Sequence, residues 1–147
     1  MRELTLLNFN EMKYGIWRDA FHSIEDVSAI HWFSPDPGYI AGMSSVNGRT
    51  VTLFDLSACL GFSPMSRRRA DYVAILLPYK EKYAGFLVDF VIEGFSISDK
   101  QFFSMPAYLR TPVIDSCVGQ NSELGELISI INIPHLFEMV LKTDFKP

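Results

Sequence analysis

The sequence predicts an all-β protein with only short helices, folded as two related small β-barrels. Apolar residues recur in short alternating runs bounded by turn residues, the pattern of half-buried strands. Twelve phenylalanines and an aromatic content of 14% favour strands further. The second half of the chain repeats the grammar of the first, several strands followed by a helical turn, and closure into barrels leaves few strand edges free.

Leu4–Phe9 alternates loosely and stops at Asn10-Glu11, and Tyr14-Gly15-Ile16-Trp17 restarts it, so these two strands form a hairpin. Phe21, Ile24, Val27 and Ile30 recur every third residue, as on a helix. No stop glycine follows them, however, and Pro35 and Pro37 lie just beyond. The run therefore reads as a strand through Ile24, a loop, and a short strand over Ala29–Trp32. Ser34-Pro-Asp-Pro-Gly38 is a proline-stiffened turn.

The stretch from Tyr39 to Leu56 organises the first half. Gly42 permits a bend or a close backbone approach within a strand. Asn47-Gly48 is a strong hairpin signal, because both residues tolerate the positive φ of a type I′ turn. Val51, Leu53 and Phe54 supply the returning strand. Asp55 is placed to cap the helical turn over Leu56–Leu60, which Gly61 ends. Phe62–Ala70, with Pro64 and the triplet Arg67-Arg68-Arg69, is a linker. It divides one domain over 1–147 into approximate barrel halves, 1–66 and 67–147.

In the second half, Asp71–Leu77 is a strand apolar on both faces, Pro78–Lys82 a charged turn, and Tyr83–Ile92 a second strand. Gly85 is placed there as Gly15 is in the first hairpin. Glu93–Asp99 is a weaker strand, and Met105-Pro106 interrupts the chain beyond it. Val113–Val118 and Glu126–Ile131 are strands around a polar loop. Pro134 opens a terminal helix whose apolar face is Leu136, Phe137, Val140 and Leu141.

Composition excludes several classes. At 48% hydrophobic and 20% charged residues, the 147-residue chain can bury a core and is not disordered. No apolar run approaches the roughly 18 to 20 residues of a membrane span, and the N-terminus lacks a signal-peptide pattern, so no membrane insertion is expected. Cys59 and Cys117 are too few for a disulfide framework and read as free thiols of a cytoplasmic protein. Residues 1–70 hold seven basic and seven acidic side chains and residues 71–147 six and ten, so the net charge of −4 falls on the second half. With the arginine triplet as its only dense basic run, ordinarily a solvated feature, the chain does not read as a nucleic-acid binder.

No Gly-rich phosphate loop, HExxH or CxxC occurs, and His22, His31 and His135 lack a neighbour at zinc spacing, so no cofactor or metal is expected. Asp55 and Asp89 follow apolar strand residues and read as turn or strand-end fixtures rather than a catalytic pair. Cys59 has no evident activating base. A small enzyme or ligand-binding barrel using Asp55, Asp89 or Cys59 stands as the alternative from another class.

These residues together resemble the CheW family, the coupling proteins of bacterial chemosensory arrays. Tyr14-Gly15-Ile16 matches the family's Tyr-Gly-Ile, Phe21–Ile24 its Val-x-Glu-Ile, and Pro37–Gly42 its Pro-x-aromatic-Ile-x-Gly. Its Asn-Leu-Arg-Gly turn falls on Ser45–Gly48 and its Asp-Leu on Asp55-Leu56. Gly85–Val91 matches Gly-x-x-Val-Asp-x-Val, and Ile130–Ile133 the last strand. The matches span almost the whole chain in family order. The resemblance implies two packed SH3-like β-barrels of five strands each, with a C-terminal helix.

It also implies a non-enzymatic adaptor that binds the regulatory domain of a CheA-type histidine kinase and the cytoplasmic tip of methyl-accepting chemoreceptors. The contact residues it suggests are Phe21, Ile24, Ser45, Val46, Asn47, Arg49 and Val88. Gly42, Gly48, Asp55, Gly85 and Asp89 would shape turns and caps. Ser45 and Asn47 stand where the family has Asn and Arg, Ser23 replaces its Glu, and Thr52 its Pro. Asparagine lacks the bidentate charge-assisted contact of arginine, and Arg49, two residues on, is expected to substitute in part. A divergent member that binds the kinase or the receptor alone, outside the standard array, is the second adaptor reading.

Overall fold

The computed structural model describes residues 2–33, 39–69, 71–118 and 128–144. The turn expected over Ser34–Gly38, Ala70 of the linker, the polar loop after Val118 and the first residues of the strand expected from Glu126 lie outside the described residues. The strands are β1 Arg2–Phe9, β2 Met12–Trp17, β3 Ser23–Val27, β4 His31–Trp32, β5 Ile40–Val46 and β6 Arg49–Asp55, then the one-turn helix α1 Leu56–Cys59. After the linker come β7 Tyr72–Tyr79, β8 Lys82–Val88, β9 Phe90–Ile97, β10 Phe102–Ser104, β11 Ser116–Val118, β12 Ile128–Ile130 and α2 Ile133–Asp144.

Among the described residues these strands form two sheets, ordered β10-β11-β12-β2-β1-β9 and β3-β7-β8-β6-β5-β4. Each has six strands where five were expected, because a very short strand, β10 or β4, extends one edge. Both orders follow one pattern. A hairpin, β1–β2 or β7–β8, pairs on one side with an antiparallel strand, β9 or β3. On its other side it pairs in parallel with β12 or β6.

The two sheets thus share one pairing pattern, and neither is made from residues 1–66 or 67–147 alone. The hairpin of the first half sits in the sheet built from β9–β12, and the hairpin of the second half lies between β3 and β6. The chain changes sheets after β2, through a 3₁₀ turn at Arg18–Ala20, and again at Asp89. An acid–arginine pair stands at each crossing, Asp19 with Arg2 at 2.8 Å and Asp89 with Arg69 at 3.1 Å.

The second crossing corrects the single strand expected over Tyr83–Ile92, which is two strands meeting at Asp89. Its apolar residues serve different cores on the two sides of the crossing, so alternation does not mark it. Pro78 and Tyr79 belong to β7 rather than to the turn, which lies at Lys80-Glu81. β3 pairs only as far as Leu76, so Pro78 occupies a free edge where its missing N–H costs nothing. Of Val113–Val118, only Ser116–Val118 is strand.

One core lies between the sheets. Leu7, Phe9 and Ile16 meet Phe54, Ile75 and Phe86 there, and α2 closes it with Leu136, Phe137 and Val140. Two smaller clusters fill the sheets' other faces, around Leu53 and Leu87 and around Leu4 and Ile128. β1 is buried on both faces because Leu4 and Leu6 face one cluster while Leu7 and Phe9 face the shared core.

Two glycines in the β5–β6 region have different reasons. A Cβ on Gly42 would lie 2.2 Å from the His31 carbonyl oxygen, because the β4 backbone crosses directly over it. Gly48 has φ +78° and open space around it, so a side chain there meets only backbone strain. Gly48→Ala is expected to cost about 1 kcal/mol. Gly42→Ala is expected to cost clearly more, since β4 must move. Urea unfolding of the two variants checks the order, and equal midpoints would refute the crossing contact.

Candidate functional site

The β5–β6 tip is a tight turn in which Asn47 (φ 51°) and Gly48 (φ 78°) both take the positive φ of a type I′ hairpin. Asparagine adopts this conformation readily, whereas an arginine at position 47 would carry strain. Ser45, Asn47, Gly48 and Arg49 are exposed, and Val46 is buried beneath them.

The tip forms one wall of a groove of about 290 Å³ whose other walls are β3 and the start of β8. Val46, Asn47 and Arg49 line it together with His22, Glu25 and Tyr83. The Arg49 guanidinium lies 5.2 Å from the Tyr83 ring centroid, and the His22 ring centroid is 5.0 Å from the same ring. The Tyr83 hydroxyl and His22 Nε2 are 3.4 Å apart. Tyr83 thus holds both side chains at the surface. Arg49 and Asn47 do share one groove, as the partial substitution of one for the other requires.

Other suggested contacts lie elsewhere. Phe21 is 7% exposed and Val88 is fully buried; both belong to the shared core, and the Arg18 guanidinium covers the Phe21 ring at 4.6 Å. Both side chains point into the core, because β8 is sandwiched between layers and Phe21 turns inward as the chain enters the second sheet. Ile24 is half-buried against the same core, away from the groove, and Ser45 is exposed beside the groove without lining it.

Sequence reading missed His22, Glu25 and Tyr83. His22 and Tyr83 are 61 residues apart, and only the β3–β7–β8 order brings them together. It also left the arginine triplet solvated. Arg67 donates to the Phe33 carbonyl and stands 5.4 Å over the Trp32 ring. Arg69 donates to Asp89 and lies 4.6 Å over the Tyr72 ring.

A family model of the CheW-like domain matches residues 3–141. The chain belongs to the CheW-like domain family. The crystal structure of the scaffolding protein TtCheW from Thermoanaerobacter tengcongensis is similar to it, with a TM-score of 0.74 at 21% identity over 93% of this chain and 92% of that one. At that identity the likeness speaks for the fold. No match is found among curated proteins.

In this CheW-like chain the residues of the enzymatic alternative have structural partners. Asp55 accepts from the Ala58 N–H at 3.0 Å as the N-cap of α1, and from the Met65 N–H at 2.9 Å, tying the linker to the helix. The Asp89 carboxylate receives Arg69, and its N–H donates to the Asn8 carbonyl at 2.9 Å. Cys59 is half-buried and forms no disulfide, and burial pushes the Cys117 thiol up. Among the described residues, no three His, Cys, Asp or Glu side chains converge to hold a metal, and no helix is long and apolar enough to cross a membrane. Gly85 faces Leu76 as Gly15 faces Leu4, each with a leucine methyl 3.0 Å from where a Cβ would stand.

Burial raises the Asp55 carboxyl above its ordinary value, against the pull of the Ala58 and Met65 N–H groups. Folding therefore disfavours its ionised form. Its contribution to stability is most favourable below the unfolded pKa of about 4 and declines as pH rises through the folded value. The wild-type unfolding free energy, measured relative to Asp55→Asn, is expected to fall as pH rises from 4. A flat difference between pH 4 and 7 would refute a raised pKa.

Proposed function

We propose that the protein is a non-enzymatic scaffold of a chemosensory pathway, coupling chemoreceptors to a CheA-type histidine kinase in the cytoplasm. The observation that carries this reading is the family match over nearly the whole chain. The hairpin-tip groove supplies the contact chemistry. Arg49 is preordered on Tyr83 and, among the described residues, pairs with no carboxylate, which leaves its N–H groups for a partner's carboxylate or carbonyl. Ser45, Val46 and Asn47 shape the tip, and Ile24 supplies a partly buried apolar contact on the neighbouring face.

Calorimetric titration with the regulatory domain of a CheA-type kinase, and separately with a receptor-tip fragment, tests the reading. One-to-one binding is expected, weakened about tenfold by Arg49→Ala, equivalent to about 1.4 kcal/mol. Phe21→Ala and Val88→Ala are expected to lower thermal stability instead, by about 2 kcal/mol or more. Binding of one partner alone would identify the divergent single-partner adaptor. Absence of both interactions, from a folded sample, would overturn the coupling role.

A further inference from the structure

The cluster around Leu4 and Ile128 opens at one end into a groove of about 530 Å³. Ser116 of β11 stands opposite Ser104 of β10 and Ile130 of β12, and all three line the groove. Two residues along the same strands, Val118 and Ile128 face the same way into the cluster, so at Ser116 that apolar layer ends in a hydroxyl. Ser116 is 7% exposed, and among the described residues no protein group hydrogen-bonds its Oγ. Buried hydroxyls ordinarily have a partner. This one lines a cavity within the range of about 300 to 1,000 Å³ typical of small-molecule sites.

Aromatic surface lies open in the same groove. Phe102 is 39% exposed, and its ring tilts against the half-buried Trp17 at 5.7 Å between centroids. Arg2 lies over the Trp17 ring at 4.2 Å and pairs with Asp19, so those two charges answer each other. Arg110 and Asp115 also line the groove, and among the described residues neither is ion-paired. The buried Met105 fixes both. Its carbonyl accepts from Arg110 Nε at 3.3 Å and Nη2 at 3.0 Å, and its N–H donates to the Asp115 carbonyl at 2.8 Å. The groove thus offers a lone hydroxyl at its floor, an open ring face, and one cation and one anion without partners.

We propose that this groove binds a phenolic amino acid, its ring on Phe102 and Trp17, its hydroxyl on Ser116, its carboxylate on Arg110 and its ammonium group on Asp115. A phenol both donates and accepts, as the Ser116 hydroxyl does, so the two satisfy each other without a charge. A zwitterion meets Arg110 and Asp115 at once, where an anion or a cation alone leaves one of them facing its own sign. None of the residues lining this groove lines the hairpin-tip groove, so binding does not depend on the coupling role.

The test is titration of the full chain with L-tyrosine, followed by ligand-observed NMR, with L-phenylalanine and tyramine as the analogues lacking the hydroxyl and the carboxylate. Saturable single-site tyrosine binding is expected, with phenylalanine weaker by about threefold to tenfold for want of one hydrogen bond. Ser116→Ala removes only the hydroxyl, and is expected to bring tyrosine down to the phenylalanine level while leaving phenylalanine within about twofold. Arg110→Gln is expected to weaken tyrosine by about threefold to tenfold and to leave tyramine within about twofold. No saturable tyrosine binding, phenylalanine bound as tightly as tyrosine, or undiminished tyrosine binding by a folded Ser116→Ala variant would overturn the proposal. Equal loss of tyrosine and tyramine on Arg110→Gln would overturn it as well.

Discussion

The parallel pairings of β6 with β8 and of β12 with β2 tie each half of the chain into the sheet of the other. A hairpin alone is marginal in water, and each of these gains its flanking strands only from the opposite half. The shared core follows from that exchange, since β1, β7 and β8 carry apolar residues on both faces and divide them between cores. Leu7, Phe86 and Phe137 come from three distant segments and meet in the layer between the sheets. Stability and topology are one constraint here.

The crossings that make the exchange possible are short and similarly built. Each changes sheets within a few residues beside an aspartate paired with an arginine. These pairs are partly exposed and add little stability on their own. They fix direction, and in the second crossing Arg69 also anchors the linker by stacking on Tyr72. The linker is held further by Asp55 through Met65 and by Arg67 on Phe33, so the segment joining the repeats is structured by the sheet it leaves.

The β6 strand separates two surfaces of different chemistry. The hairpin-tip groove is small and polar, lined by Arg49, His22 and Glu25. A groove beside α2 is larger, and Arg49, Lys82 and Glu81 line it with Phe54 and Phe137. Tyr83 borders both and carries Arg49 on its ring. The exchange of arginine for asparagine at position 47 fits this geometry, because the positive φ of the turn suits asparagine while position 49, outside the turn, carries the cation without strain.

Much of the fold was legible in local signals. Asn47-Gly48 specified its turn because few residue pairs accept two positive φ values. Asp55 announced a cap because a carboxylate ahead of a helical turn meets its orphan N–H groups, and the alternation of β1 and β2 marked a hairpin. Order along the chain carried the repeat, Gly85 standing in its hairpin as Gly15 stands in the first. Period-2 patterning cannot say which of two buried faces meets which core, so the burial of Phe21 and Val88 in the shared core and the crossing at Asp89 left no mark in it. The sequence by itself determined the turns, the caps, the all-β class and the repeat, because each rests on the conformational preference of a few adjacent residues. Only the tertiary structure decided that the hairpins change places and that Tyr83 stands between His22 and Arg49, because those contacts join segments whose separation along the chain leaves no local trace.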